Sequence, residues 1–144
     1  RQSEHPARSR GALGFARTAV ATLVVLVATL IPGSAVPSVG ISHIDLLAHI
    51  LLFAAWSAAV SLDIGFLAAR PWLMFGLALV FAVVTETLQL ASPGRAFDLL
   101  DVAADAAGAG LGILLAAEWR RHRSSAMALP WPNGDGTDPR PWRC

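Results

Sequence analysis

The sequence predicts an all-α polytopic membrane protein, a bundle of four transmembrane helices with both termini in the cytoplasm. Three observations carry this fold class. The first is composition. Of 144 residues, 55% are hydrophobic and 15% charged, against roughly 45–50% and about 25% in soluble proteins. Too few charges are present to cover a water-exposed globule, and the apolar content excludes disorder for most of the chain. The second is four apolar stretches near the ~20 residues that a membrane-crossing helix needs. The third is that Arg residues gather on one side of those stretches. All eleven basic residues are Arg.

Residues 1–12 form a basic flank that holds Arg1, Arg8 and Arg10. The first helix is expected at 13–31, with Arg17 close enough to its start to reach the headgroups. Ile31-Pro32-Gly33-Ser34 closes it. A secretory signal is the competing reading here, since an Arg-bearing start and apolar run precede the small residues Gly33-Ser34-Ala35. The run is long for that role, and its removal would leave three spans. The second helix, 46–62, carries His49. Arg70-Pro71 opens the third, 72–91, with Pro at a tolerated helix start. That span carries Glu86 and Gln89, and Ser92-Pro93-Gly94 closes it with a tight return. The fourth, 99–117, carries Asp101 and Asp105. Together 13–117 make the membrane domain. Residues 118–144 form an Arg- and Pro-rich tail, expected to be mostly disordered beyond the helix exit. Arg120, Arg121 and Arg123 at that exit can meet anionic headgroups.

Arg placement sets the orientation. The first loop, 32–44, has no Arg and the third has only Arg95, so ten of the eleven share one side. The positive-inside rule puts that side, with both termini, in the cytoplasm. The chain is thus expected to be a multi-pass protein of the cytoplasmic (plasma) membrane, with the lipid bilayer as its first partner. Nucleic-acid binding is not expected, because the membrane flanks account for the Arg. The lone Cys144 permits no intrachain disulfide.

With this topology the costly polar residues share the outer side. Asp45 and His49 come from the second helix, Glu86 and Gln89 from the third, and Asp98, Asp101 and Asp105 from the fourth. Arg95 sits in the loop between. Spacing stacks Asp45 with His49 and Glu86 with Gln89 on single helix faces. Asp101, Asp105, Gly108 and Gly112 form one stripe, and the two glycines permit close helix packing. Ionisable groups inside spans normally face the bundle interior and pair there. Capping alone accounts for part of the set. Ser42-x-x-Asp45 reads as a capping box, and Asp98 and Asp101 as a cap and a first-turn acid. It does not account for the deeper His49, Glu86 and Asp105. Those three make either a functional site or a polar latch tying the helix ends together.

The ordered set Asp45-x-x-x-His49-x-x-x-Phe53, Glu86-x-x-Gln89, Pro93-Gly94-Arg95, Asp98, Asp101 and Gly108 to Gly112 resembles the VanZ-like family of small bacterial membrane proteins. The resemblance spans roughly residues 42–117. It implies a four-helix membrane protein of the bacterial cell envelope, in a family whose founding member is linked to antibiotic resistance, specifically to teicoplanin. Two residues depart from the family pattern. Leu46 stands where Lys is usual, and Asp105 where Asn is usual, so this cluster is the more acidic one.

Three functions compete. The first is a binding protein whose outward acidic cluster holds an envelope lipid, an envelope precursor or a glycopeptide-type antibiotic. Arg95 would grip a phosphate or carboxylate there. The second is a membrane enzyme with His49 oriented by Asp45 as a base and Glu86 as the acid. In a metal-assisted variant, His49, Glu86, Asp101 and Asp105 are the ligands. No H-E-x-x-H motif, nucleophile constellation or phosphate-cradling loop supports catalysis, so no cofactor and no resident metal are expected. The third is a scaffold or transport partner, with Gly108 and Gly112 meeting a second copy in a homo-oligomer.

Overall fold

The computed structural model describes residues 12–31, 42–93 and 95–127. A 3-10 turn, Ala12–Phe15, leads into helix α1, Ala16–Thr29. Helix α2 spans Ser42–Asp63, the short α3 Gly65–Ala68, α4 Pro71–Gln89 and α5 Leu99–Met127. The described residues contain no strand.

Each boundary has a local cause. Ile64 adopts an extended backbone between α2 and α3. Arg70, at φ −132° and ψ 73°, is held out of the helical region by the following proline. Pro71 then starts α4, where its missing N–H costs nothing. After α4, Ser92 donates its N–H to the Gln89 carbonyl at 2.9 Å and turns the chain.

Three helices, α2, α4 and α5, are long and apolar enough to cross a membrane. The first apolar helix is shorter than expected. Its 14 α-helical residues rise about 21 Å, less than the ~30 Å hydrocarbon core. Helix α5 is longer than expected. It runs on to Met127, through the helix exit expected at 118–123 and four residues beyond it. Contacts between Glu118 and both Arg121 and His122, three and four residues on, support this extension. Residues 1–11, 32–41, 94 and 128–144 lie outside the described set, and with them most of the basic flank, most of the first loop and the Pro-rich end of the tail.

The packing suits a bundle in lipid. Large apolar side chains point outward, with Leu23, Val80 and Leu114 each more than 60% exposed. The interior instead holds small and polar residues such as Ala78, Ala82, Ser57 and Thr85. Its bulk comes from Phe53, Trp56, Val60 and Met74. The Trp56 and Phe81 rings stack at 4.6 Å.

Close approach of α2 and α5 depends on two glycines. A Cβ on Gly108 would strike the Ile50 backbone, 2.9 Å from its Cα, and one on Gly112 would strike the Ala54 carbonyl and Ser57 Oγ. Ser57 Oγ donates to the Ala109 carbonyl across the same seam at 3.0 Å. Both glycines are thus covered from within their own chain, and the between-chain role expected for them has no free face.

Helix α1 is tied in by polar contacts. Asp63, at the far end of α2, accepts the Thr18 N–H at 2.9 Å and its hydroxyl at 3.0 Å, and lies 3.4 Å from Arg17 Nε. One carboxylate thereby caps another helix's first turn. Trp56 Nε1 donates to Thr22 Oγ1 at 2.9 Å. Removing the segment as a signal would strip both partners from α2. At the same end, Arg120 Nη1 donates to the Ser61 carbonyl at 2.8 Å. Arg120 therefore holds α5 to α2 as well as lying near the expected headgroup level.

Candidate functional site

The up-down course of the helices brings the start of α2, the end of α4 and the start of α5 to one end of the bundle. The polar residues expected at the outer side converge there. His49 is central. Its Nδ1 lies 2.9 Å from Asp105 Oδ1, and its Nε2 lies 3.7 Å from Asp101 Oδ2. Spacing along α2 pairs His49 with Asp45, but its closest partner is on another helix. Ligating atoms of Asp45, His49 and Asp101 all lie within 4.8 Å of one another, and so do those of His49, Glu86 and Asp105. The imidazole thus joins two acidic groups.

The inner group is dry. Glu86 and Asp105 are both 0% exposed. Glu86 Oε2 accepts the backbone N–H of Asp98 at 3.1 Å. Glu86 Oε1 and Asp105 Oδ2 are buried without a hydrogen-bond partner among the described residues. Burying two carboxylates beside a single imidazole is costly, because each has lost its water.

The outer group is wetter. The Asp45 side chain is 44% exposed and its Oδ2 lies 3.6 Å from Arg95 Nη1. Arg95 is itself largely covered, and its Nε has no partner among the described residues. Asp98 is exposed and plays a local part. Its Oδ1 accepts the Leu100 N–H at 2.8 Å, the bond of an N-cap to the second helical residue. Asp98 thus serves as the cap that its position suggested, and also positions Glu86 through its backbone. Gln89 is buried one turn beyond Glu86 on α4. The side chains of Ser42 and His43 lie outside the described set, so the capping box with Asp45 does too. Leu46 is half-buried on the turn between Asp45 and His49.

Sequence spacing gave no sign of one contributor, the Asp98 backbone N–H. A loop amide carries no side-chain signature. Nor did it single out Asp63, whose cue was an acid at a helix end facing Arg17-Thr18.

The sequence model of the VanZ/LLP1 family matches residues 9–120. The chain belongs to the VanZ/LLP1 family. No curated protein and no solved structure matches it. In this VanZ/LLP1 member the family match covers α1, α2, α3 and α4, and α5 as far as Arg120. Asp105 makes the hydrogen bond to His49. An Asn could accept the same hydrogen bond but would bring no charge.

Proposed function

We propose that this VanZ-family membrane protein acts in the cell envelope by binding a polar headgroup at the acidic end of its bundle. The headgroup belongs to an envelope lipid, a lipid-linked precursor or a glycopeptide-type antibiotic. One observation carries the reading, the graded exposure of the polar column. The side chain of Asp45 is 44% exposed, that of His49 12% and that of Asp105 0%. A latch that only ties helices together has no need of a polar path from surface to interior. Charge selects the ligand. Asp45, Glu86, Asp98, Asp101 and Asp105 outnumber the one Arg and one His, so the entering group presents an amine or hydroxyls rather than a bare phosphate.

The mouth residues provide the test. Full-length protein is compared with Asp45→Asn and Arg95→Ala. Retention of an amine-headgroup lipid against an amine-free anionic one is read by native mass spectrometry. Cells carrying each form are scored for glycopeptide susceptibility. Loss of amine-lipid retention, or a changed susceptibility, is expected in Asp45→Asn, whereas Arg95→Ala, which removes the cation that contacts Asp45, should strengthen amine-lipid retention. Unchanged readouts in stably inserted variants would refute the proposal.

The His49–Asp105 contact also suits an oriented base, which keeps the enzyme reading as the second proposal. Turnover of an envelope substrate that is lost in His49→Ala would favour it over binding alone.

A further inference from the structure

We infer that His49, Glu86 and Asp105 form an inner site for one divalent cation, of the class that accepts mixed imidazole and carboxylate ligands. Mn2+ is its best representative. The inference deepens the proposed function, resting on the reading that this cluster binds rather than latches.

Two independent observations lead to it. The first is donor geometry. One ligating atom from each residue lies within 4.8 Å of the others. Bonds of about 2.1 Å at right angles put neighbouring donors about 3.0 Å apart. His49 Nδ1 and Asp105 Oδ1 share a hydrogen bond at 2.9 Å, close to that spacing, and an ion that took both atoms would displace the proton between them. The second is the pair of buried oxygens without a partner, Glu86 Oε1 and Asp105 Oδ2. Both residues are wholly buried, and both belong to the group that presents the donors. Arg95 does not neutralise them, because its contact is with Asp45. A divalent ion supplies both the missing charge and the missing partners.

The donor set narrows the ion. Ca2+ takes six to eight oxygen ligands, and Mg2+ sheds water reluctantly. Imidazole suits first-row transition ions, while carboxylates draw the choice towards Mn2+. Asp101 Oδ2 faces the opposite ring nitrogen of His49 at 3.7 Å, beyond hydrogen-bond reach but on the side from which a carboxylate commonly orients a metal-ligating histidine.

The experiment uses the full chain, purified in detergent, stripped with a chelator and titrated with Mn2+. Free ion is followed by electron paramagnetic resonance. One saturable site per chain is expected. Glu86→Gln and Asp105→Asn should each weaken it at least about tenfold. Glu118→Gln, at the exposed far end of α5, should leave it unchanged. Helix content and monodispersity confirm that each variant is folded. Independently of any variant, bound Mn2+ should show hyperfine coupling to one imidazole nitrogen.

Absence of saturable binding to the folded wild-type chain at millimolar Mn2+ overturns the inference. So does binding that survives both inner substitutions, or that shows no nitrogen coupling. The two proposals fail separately. An ion bound without any effect of Asp45→Asn or Arg95→Ala on lipid refutes only the headgroup reading. Lipid retention without an ion refutes only this one.

Discussion

His49 Nδ1 on α2 and Asp105 Oδ1 on α5 stand 2.9 Å apart, fifty-six residues distant in the chain, with Asp105 sealed from solvent. His49→Ala leaves that acid and Glu86 without the imidazole that partners them. Such a loss costs about 3–5 kcal/mol where a buried pair is broken from one side. Asp105→Asn in the same background should return part of it. Unfolding of the two single variants and the double variant in detergent gives the coupling. About 1 kcal/mol or more is expected between residues in contact. Additive effects would mean that the two groups do not interact.

The two glycines of α5 make a sharper prediction. Gly108→Ala and Gly112→Ala each drive a methyl group into backbone atoms of α2. Overpacking of this kind costs about 1–3 kcal/mol or more, since a helix backbone yields less than a side chain. A methyl group on Gly76 of α4 would instead meet nothing within 4 Å. Gly76→Ala should therefore be neutral or stabilising by up to ~1 kcal/mol. Thermal melts of the three variants check this, and equal losses in all three would contradict it.

At the other end, Asp63 and Arg17 should behave unequally although they form one ion pair. Asp63 is largely covered and caps the first turn of α1. Asp63→Ala should cost about 1–2 kcal/mol, as lost caps do. The Arg17 side chain is 65% exposed, so Arg17→Ala should cost about 0–1 kcal/mol. Hydrogen exchange localises the effect. Asp63→Ala should speed exchange at the start of α1 while α5 stays protected.

The Arg distribution predicts that the acidic end faces outward. A fluorescent protein fused after residue 144 should mature and glow, and alkaline phosphatase at the same place should stay inactive. The reverse result would invert the proposed topology.

The sequence shows the spans well, because a run of apolar residues can be counted. It shows the cluster's membership for the same reason, since an acid within such a run is conspicuous. Partners are harder. Spacing along one helix relates Asp45 to His49, whereas the packing of α2 on α5 gives His49 to Asp105. No local pattern contains that choice. The end of α5 was obscured by composition. Arg, Ser and His beyond Ala117 read as a tail, although nothing before Pro130 breaks a helix. Helix α1 presents the opposite case, an apolar run of spanning length of which 14 residues are α-helical.

The glycine seam has a mechanical consequence for the cluster. Gly108 and Gly112 press α5 against α2 so closely that the pair can hardly slide. His49, Asp101 and Asp105 all ride on that joined pair, and of the ionisable groups in the cluster only Glu86 arrives on α4. The cluster therefore consists of a fixed wall and one separate jaw. Any movement that opens it without tearing the seam has to carry Glu86 away from the other three. The Asp98 amide that holds Glu86 is then the catch on that jaw.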